Sequence, residues 1–210
     1  MITRIFGKPN SGKSLYSLKR LLEYESDICV ISLELPVDVV QTRIKTYIEN
    51  YQIDNNFEIS KGTFSNILIK SFANIKLSDL FDFILKVNKE KEINTFLIDP
   101  VHVIDYNQKK IKFKKINLIL MTFYQDIYNF SKKHNIDIIL SDYERNVLSE
   151  KQLKVFFENR NLENLKINRN SPSNGVLLES GDKLFTESIK CFFERPLDEV
   201  RDEKIDFILK

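Results

Sequence analysis

The chain has 210 residues, 42% of them hydrophobic and 11% aromatic, enough to bury one good-sized core, so residues 1–210 read as a single domain. Charged residues make up 30% but nearly cancel to a formal net charge of +2; composition therefore neither demands nor excludes a polyanionic partner, and any nucleic-acid surface must come from local clusters. No stretch approaches the roughly 18–20 uninterrupted apolar residues of a membrane span and no basic-then-apolar signal region opens the chain, while Cys29 and Cys191 sit in apolar runs as reduced core residues, all of which suits a cytoplasmic protein of a cell or infected host with no membrane partner.

In chain order, "MITRIF" reads as a short strand, followed by a glycine loop and a helix that places Leu15, Leu18, Leu21 and Leu22 on one face. "ICVISLEL" is a continuous apolar run suited to a strand buried on both faces, with Pro36 at the start of a helix carrying Val37, Val40, Ile44, Tyr47 and Ile48. "NILIKSF" is a third strand, Ser78 a plausible N-cap for the helix "DLFDFILKVNKEK", and "TFLID" a fourth strand. A basic segment, "DYNQKKIKFKK", precedes a long helix with Ile116, Ile119, Leu120, Phe123, Ile127 and Phe130 on its apolar face, and "IDIILSD" returns to the sheet. Over residues 146–182 the pattern changes to a helix starting at Ser149, with Gln152 completing a capping box, and then an Asn/Ser/Pro/Gly-rich excursion from the sheet. The last residues, "IKCFFERPLDEVRDEKIDFILK", read as an antiparallel hairpin at a sheet edge. The expected fold class is α/β, a mostly parallel sheet flanked by helices with this C-terminal antiparallel hairpin.

Chemistry starts at "FGKPNSGKS", where Gly7, four residues and then Gly12-Lys13-Ser14 have the spacing of a phosphate-binding P-loop. Glycines let the backbone curl so that N–H groups and the helix N-terminus face phosphate oxygens, Lys13 neutralises them, and Ser14 ligates Mg²⁺. Gly7, Lys8, Pro9, Asn10, Ser11, Gly12, Lys13 and Ser14, with Leu15 following, are the candidate nucleotide-binding residues. A chance glycine turn would lack the strand before and the helix after. Asp99 ends "TFLID", where a carboxylate can hold the metal through water; the plainer alternative is a cap on the turn before Pro100. Glu34 ends a strand expected beside the P-loop strand, where it can deprotonate an attacking water, although a surface Glu at a strand end would look the same.

These stretches resemble the DnaB-type replicative helicases. "GKPNSGKS" is similar to that family's P-loop with its third-position proline, here Pro9; "ISLELP" to its Ser-Leu-Glu strand, with Glu34 as the base; "LIDPVHVI" to its metal strand, with Asp99 as the metal-associated residue and His102 where Gln is usual. "IILSDYER" resembles the Leu-Ser-Gln strand, so Asp142 replaces the Gln that senses the γ-phosphate and Arg145 matches the following Arg; "LLESGDKLF" and "CFFER" resemble the Arg-Glu-Ser-Gly segment and the strand beyond. The resemblance implies a RecA-like P-loop NTPase without a collar domain, binding ATP and Mg²⁺, assembling as a ring, usually of six, and threading single-stranded DNA. It places the DNA-gripping loops at Lys109, Lys110, Lys112, Lys114 and Lys115 and at the excursion with Lys166 and Arg169, and the Lys of the family's trans-acting Lys-x-Arg pair at Lys210, with no arginine beyond. Clustered lysines on flexible backbone bind phosphates without reading sequence, while a solvated helix start would also account for "KKIKFKK".

Two functions fit. One is an ATP-driven DNA translocase or helicase-like ATPase of DNA replication. The other is a degenerate RecA-fold module that binds nucleotide, and DNA or a helicase ring, without unwinding, which Asp142 and the missing arginine favour. A RecA- or KaiC-type ATPase of recombination or regulation fits Pro9 and the Ser-Leu-Glu triplet less well.

Overall fold

The computed structural model describes residues 1–9, 11–22, 24, 26–55, 67–104, 116–145, 147–168, 175–180 and 183–188, with side chains left undescribed at 22, 47–55, 116–118, 168, 175–180 and 183–188. Among the described residues, eight strands form one sheet: β1 (Ile2–Gly7), β2 (Ile28–Ser32), β3 (Ile67–Ser71), β4 (Thr95–Asp99), β5 (Asp137–Tyr143), β6 (Glu163–Asn168), β7 (Gly175–Ser180) and β8 (Lys183–Ser188). The described α-helices between them are α1 (Lys13–Leu22), α2 (Val37–Asn55), α3 (Leu77–Lys91), α4 (Ile116–His134) and α5 (Val147–Glu158). The strand order is β3-β2-β4-β5-β1-β6-β7-β8. All pairings from β3 to β6 are parallel, and β7 and β8 add antiparallel strands at the edge.

Alternation along each strand divides the core into two layers, because successive strand side chains point to opposite faces. Cys29, Ile31, Phe96, Ile98, Ile138 and Leu140 join one cluster with Leu80 and Ile84 of α3, Tyr124 and Ile127 of α4, and Leu153 and Phe157 of α5. Ile28, Val30, Leu97, Ile139 and Leu165 join the other with Tyr16, Leu18 and Leu21 of α1 and Val40 and Ile44 of α2. A sheet covered on both faces buries its strands on both sides; the unbroken burial of β1 and β2 fits this, with Thr3 and Arg4 the polar exceptions in β1.

Several local expectations change. The helix expected to start at Ser149 starts at Val147 and buries Ser149 within it, so Ser149 does not cap it. Ser78 lies inside α3, whose N-cap is Lys76 without a side-chain cap bond, while Ser78 Oγ donates to Asp79 Oδ1. The excursion expected after α5 instead contributes β6, paired along β1 from Thr3↔Glu163 to Gly7↔Ile167, and then β7. The hairpin expected in the last 22 residues lies outside the described residues; the antiparallel hairpin that is described joins β7 to β8, from Gly175↔Ser188 to Ser180↔Lys183. Most consequential for the site, β2 does not lie beside β1, since β4 and β5 separate them.

Candidate functional site

Strand β1 ends at Gly7 and α1 starts at Lys13, so the loop between them delivers the unpaired first N–H groups of a helix to the carboxyl edge of the sheet. Two glycines are required there. A Cβ at Gly7 would stand 2.6 Å from Ser11 Oγ and 2.7 Å from the Ile167 carbonyl oxygen, and Gly12 has φ of +91°, a conformation side chains disfavour. The Ser11 hydroxyl is buried without a hydrogen-bond partner among the described residues. Lys13 Nζ donates only to the Lys8 carbonyl oxygen, at 3.4 Å, among the described residues, and lies 3.9 Å above the Tyr143 ring. Burial lowers the Lys13 pKa, and the Asp99 and Glu34 carboxylates partly offset this. An orphaned hydroxyl, an underused ammonium and a helix N-terminus are donors without acceptors, a set that fits a polyphosphate. Asn10 lies outside the described residues.

Asp99 is the last residue of β4 and shares the face of Leu97, toward α1, where Ser14 Oγ donates to Asp99 Oδ1 at 3.1 Å. A hydroxyl and a carboxylate this close are oxygen ligands of the kind Mg²⁺ takes. Asp99 is thus tied to the first turn of α1. Glu34 reaches the same place from β2. Ser32 pairs in register with Asp99, and Leu33 N donates to the Asp99 carbonyl oxygen at 2.8 Å. The turn carrying Glu34 is pinned by Ser32 and Ser71, whose hydroxyls donate to the Leu35 carbonyl oxygen at 2.9 and 2.8 Å. Lys13, Ser14, Leu15, Glu34 and Asp99 all line one cavity of about 610 Å³, which extends under α2 to Thr42, Arg43 and Thr46.

Asp142 does not face that cavity as the resemblance implied. Ile138, Leu140 and Asp142 share a side of β5, so the carboxylate turns toward α4 and α5, into a buried ionic network. Arg4 of β1, paired in register with Leu140 and so on the same side as Asp142, is fully buried and donates to Asp142 Oδ2 from Nη2 at 3.0 Å and to Glu150 Oε2 from Nη1 at 2.8 Å. Tyr124 donates its hydroxyl to Asp142 Oδ2 at 2.6 Å, and Arg145 Nη2 donates to Asp142 Oδ1 at 2.9 Å. Burial alone would raise the Asp142 pKa, but Arg4, Arg145 and the Tyr124 hydroxyl together hold it below the ordinary carboxylate value. Burial pushes the Tyr124 phenol up, so it stays protonated and able to donate. Asp142, implied to meet the γ-phosphate, is thus placed in an internal ion pair, because its strand parity points it away from the loop. Arg145, implied beside it as a sensor, is drawn into the same pair.

The residue at the β5 tip that does line the cavity is Tyr143, one position further and on the opposite face. Its ring meets that of His102 edge-on at 4.3 Å, and His102 Nε2 lies 3.4 Å from Glu34 Oε1. Counting alternate positions along "DIILSDY" would have singled out Tyr143; Arg4 offered no signal, as a lone cation in an apolar strand reveals nothing of its partners.

Of the implied DNA contacts, Lys166 belongs to β6 rather than to a flexible loop, and its Nζ lies 2.9 Å from Glu144 Oε1. Lys109, Lys110, Lys112, Lys114, Lys115, Arg169 and Lys210 lie outside the described residues. No helix among the described residues is long and apolar enough to cross a membrane.

No protein-family profile and no curated sequence matches the chain. Solved structures do. The chain is similar to a DnaB-like replicative helicase, a structure also describing that protein's interactions with primase, at 13% identity and a TM-score of 0.58 over 89% of this chain and 55% of that one. It is also similar to a KaiC-like protein from Pyrococcus horikoshii OT3, at 14% identity and a TM-score of 0.52 over 88% of this chain and 82% of that one. The chain thus spans about half the length of the helicase it matches. At such identities the likeness is one of fold: a mostly parallel α/β sheet flanked by helices, shared with both structures.

Proposed function

We propose that the chain is a Mg²⁺-dependent ATPase that works on single-stranded DNA in the manner of a DnaB-like translocase, within a ring of copies or against a helicase partner. The observation that carries the reading is the convergence of Lys13, Ser14, Glu34 and Asp99, from three strand ends, on one cavity of about 610 Å³. Bound there, Mg²⁺ and ATP supply an electrophilic phosphorus with its charge partly neutralised. Lys13 and the α1 N-terminus would hold the phosphate oxygens, Ser14 and Asp99 would hold the metal, and Glu34, half-exposed at the cavity mouth, would accept the proton of the attacking water. The basic segment at 105–115 is the expected contact to DNA phosphates, consistent with its attachment directly after β4 and its 3₁₀ turn.

The experiment is ATP turnover by the purified chain with and without single-stranded DNA. Mg²⁺-dependent turnover that rises with DNA and disappears in Lys13→Ala and Glu34→Gln is the expected result. Binding of ATP with no turnover in either condition would sink the enzyme reading. One observation favours the alternative of a nucleotide-binding module that does not unwind: Asp142 is committed to Arg4 and so is not available to report on a γ-phosphate. A forked-duplex unwinding assay separates the two.

A further inference from the structure

We propose that His102 is the positioning residue for the Glu34 carboxylate, holding it at the cavity mouth from a ring that is itself braced by Tyr143. The inference rests on the ATPase reading and deepens it. Glu34 is 46% exposed, so its side chain has rotamers to lose, and among the described residues its one polar contact is His102 Nε2 at 3.4 Å. At 3.4 Å the imidazole and the carboxylate are close enough to feel each other's charge.

His102 is well placed to restrain a mobile carboxylate. It sits in the 3₁₀ turn Val101–Val103 directly after β4, anchored by buried Val101 and Ile104 and by the Ile104 N–H donating to the Val101 carbonyl oxygen at 3.2 Å. Its ring packs edge-on against Tyr143 at 4.3 Å, and Tyr143 in turn lies 3.9 Å beneath Lys13 Nζ. Lys13, Tyr143, His102 and Glu34 therefore form one continuous chain of contacts, linking the group that meets the phosphates to the group that meets the water.

The charge state matters to this role. Burial lowers the His102 pKa; Glu34 and Asp142 raise it and Arg145 and Lys13 lower it, for a net fall below the ordinary imidazole value. The ring is neutral at pH 7 and rests 3.4 Å from the Glu34 carboxylate without cancelling its negative charge. On acidification the imidazolium forms an ion pair with Glu34 and competes with water for the base.

The chain has two histidines, so imidazole C2 proton resonances report His102 against His134 as an internal control, without nucleotide or turnover. Glu34→Gln is expected to lower the His102 titration midpoint and leave His134 unmoved. In turnover, His102→Ala is expected to reduce kcat about tenfold with KM for ATP changed by less than about twofold, and His102→Gln, which keeps a donor, to recover most of the loss. An unmoved His102 midpoint in Glu34→Gln, or full kcat in His102→Ala, overturns the proposal. A shifted midpoint in a protein without turnover supports the pairing while sinking the ATPase reading, so the two failures are distinguishable.

Discussion

Arg4 and Asp142 pair at 3.0 Å with neither side chain exposed. Removing one member of such a pair strands the other charge in a medium of low polarity, and the network here includes Glu150 as well. Arg4→Met is therefore expected to lower unfolding stability by about 3–5 kcal/mol in urea titrations, while Arg4→Met with Asp142→Asn recovers part of the loss. A single variant within about 0.5 kcal/mol of wild type, the size of an ordinary surface substitution, would show that the pair is not formed in solution.

The same pair sets an acid response. The folded Asp142 pKa lies below its ordinary value of 3.8, so the carboxylate contributes stability that is fully present above about pH 4 and is lost as pH falls through the folded value. Asp142→Asn is expected to be less stable at neutral pH and to lose stability less steeply on acidification. Parallel slopes for the two proteins would contradict the depressed pKa.

Gly7→Ala tests the loop. Its Cβ would meet Ser11 Oγ at 2.6 Å and, less forgivingly, a backbone oxygen of β6 at 2.7 Å. Loss of nucleotide binding together with about 1–3 kcal/mol of stability, a typical overpacking cost, is expected in calorimetry. Unchanged binding would mean that β6 yields more readily than its pairing along β1 implies.

Tyr143 lies under the Lys13 ammonium at 3.9 Å. Tyr143→Phe keeps the ring face and is expected to bind an ATP analogue as wild type does; Tyr143→Ala removes a contact worth about 0.5–2 kcal/mol and is expected to bind more weakly by a few-fold to about 30-fold. Equal affinities in all three proteins would assign the ring a packing role alone.

Buried Cys29, whose thiol is pushed up to about 12, is expected to resist alkylation in the native state and to react on unfolding, read by mass mapping of the modified peptide. Rapid native labelling at that position would contradict its burial in β2.

The loop, the alternation of strands and helices, and the carboxylates at the ends of β2 and β4 were legible because each depends on local pattern: glycine spacing, apolar runs and residues at strand tips. The start of α5 was misread because Ser149 with Gln152 imitates a cap. The strand at 163–168 was missed because a short alternating segment next to an Asn- and Pro-rich stretch looks like loop until β1 offers it an open edge.

The sequence by itself determined that a glycine-containing loop joins a buried strand to a helix, and that Glu34 follows one later strand and Asp99 ends another, since chain order and short-range sterics decide those features. Only the tertiary structure decided which strands are neighbours and which face each tip residue presents. Register and side-chain parity are set by burying one face of each strand against a particular layer of helices. That constraint turns Asp142 inward to Arg4, brings Tyr143 to Lys13, and sets His102 beside Glu34.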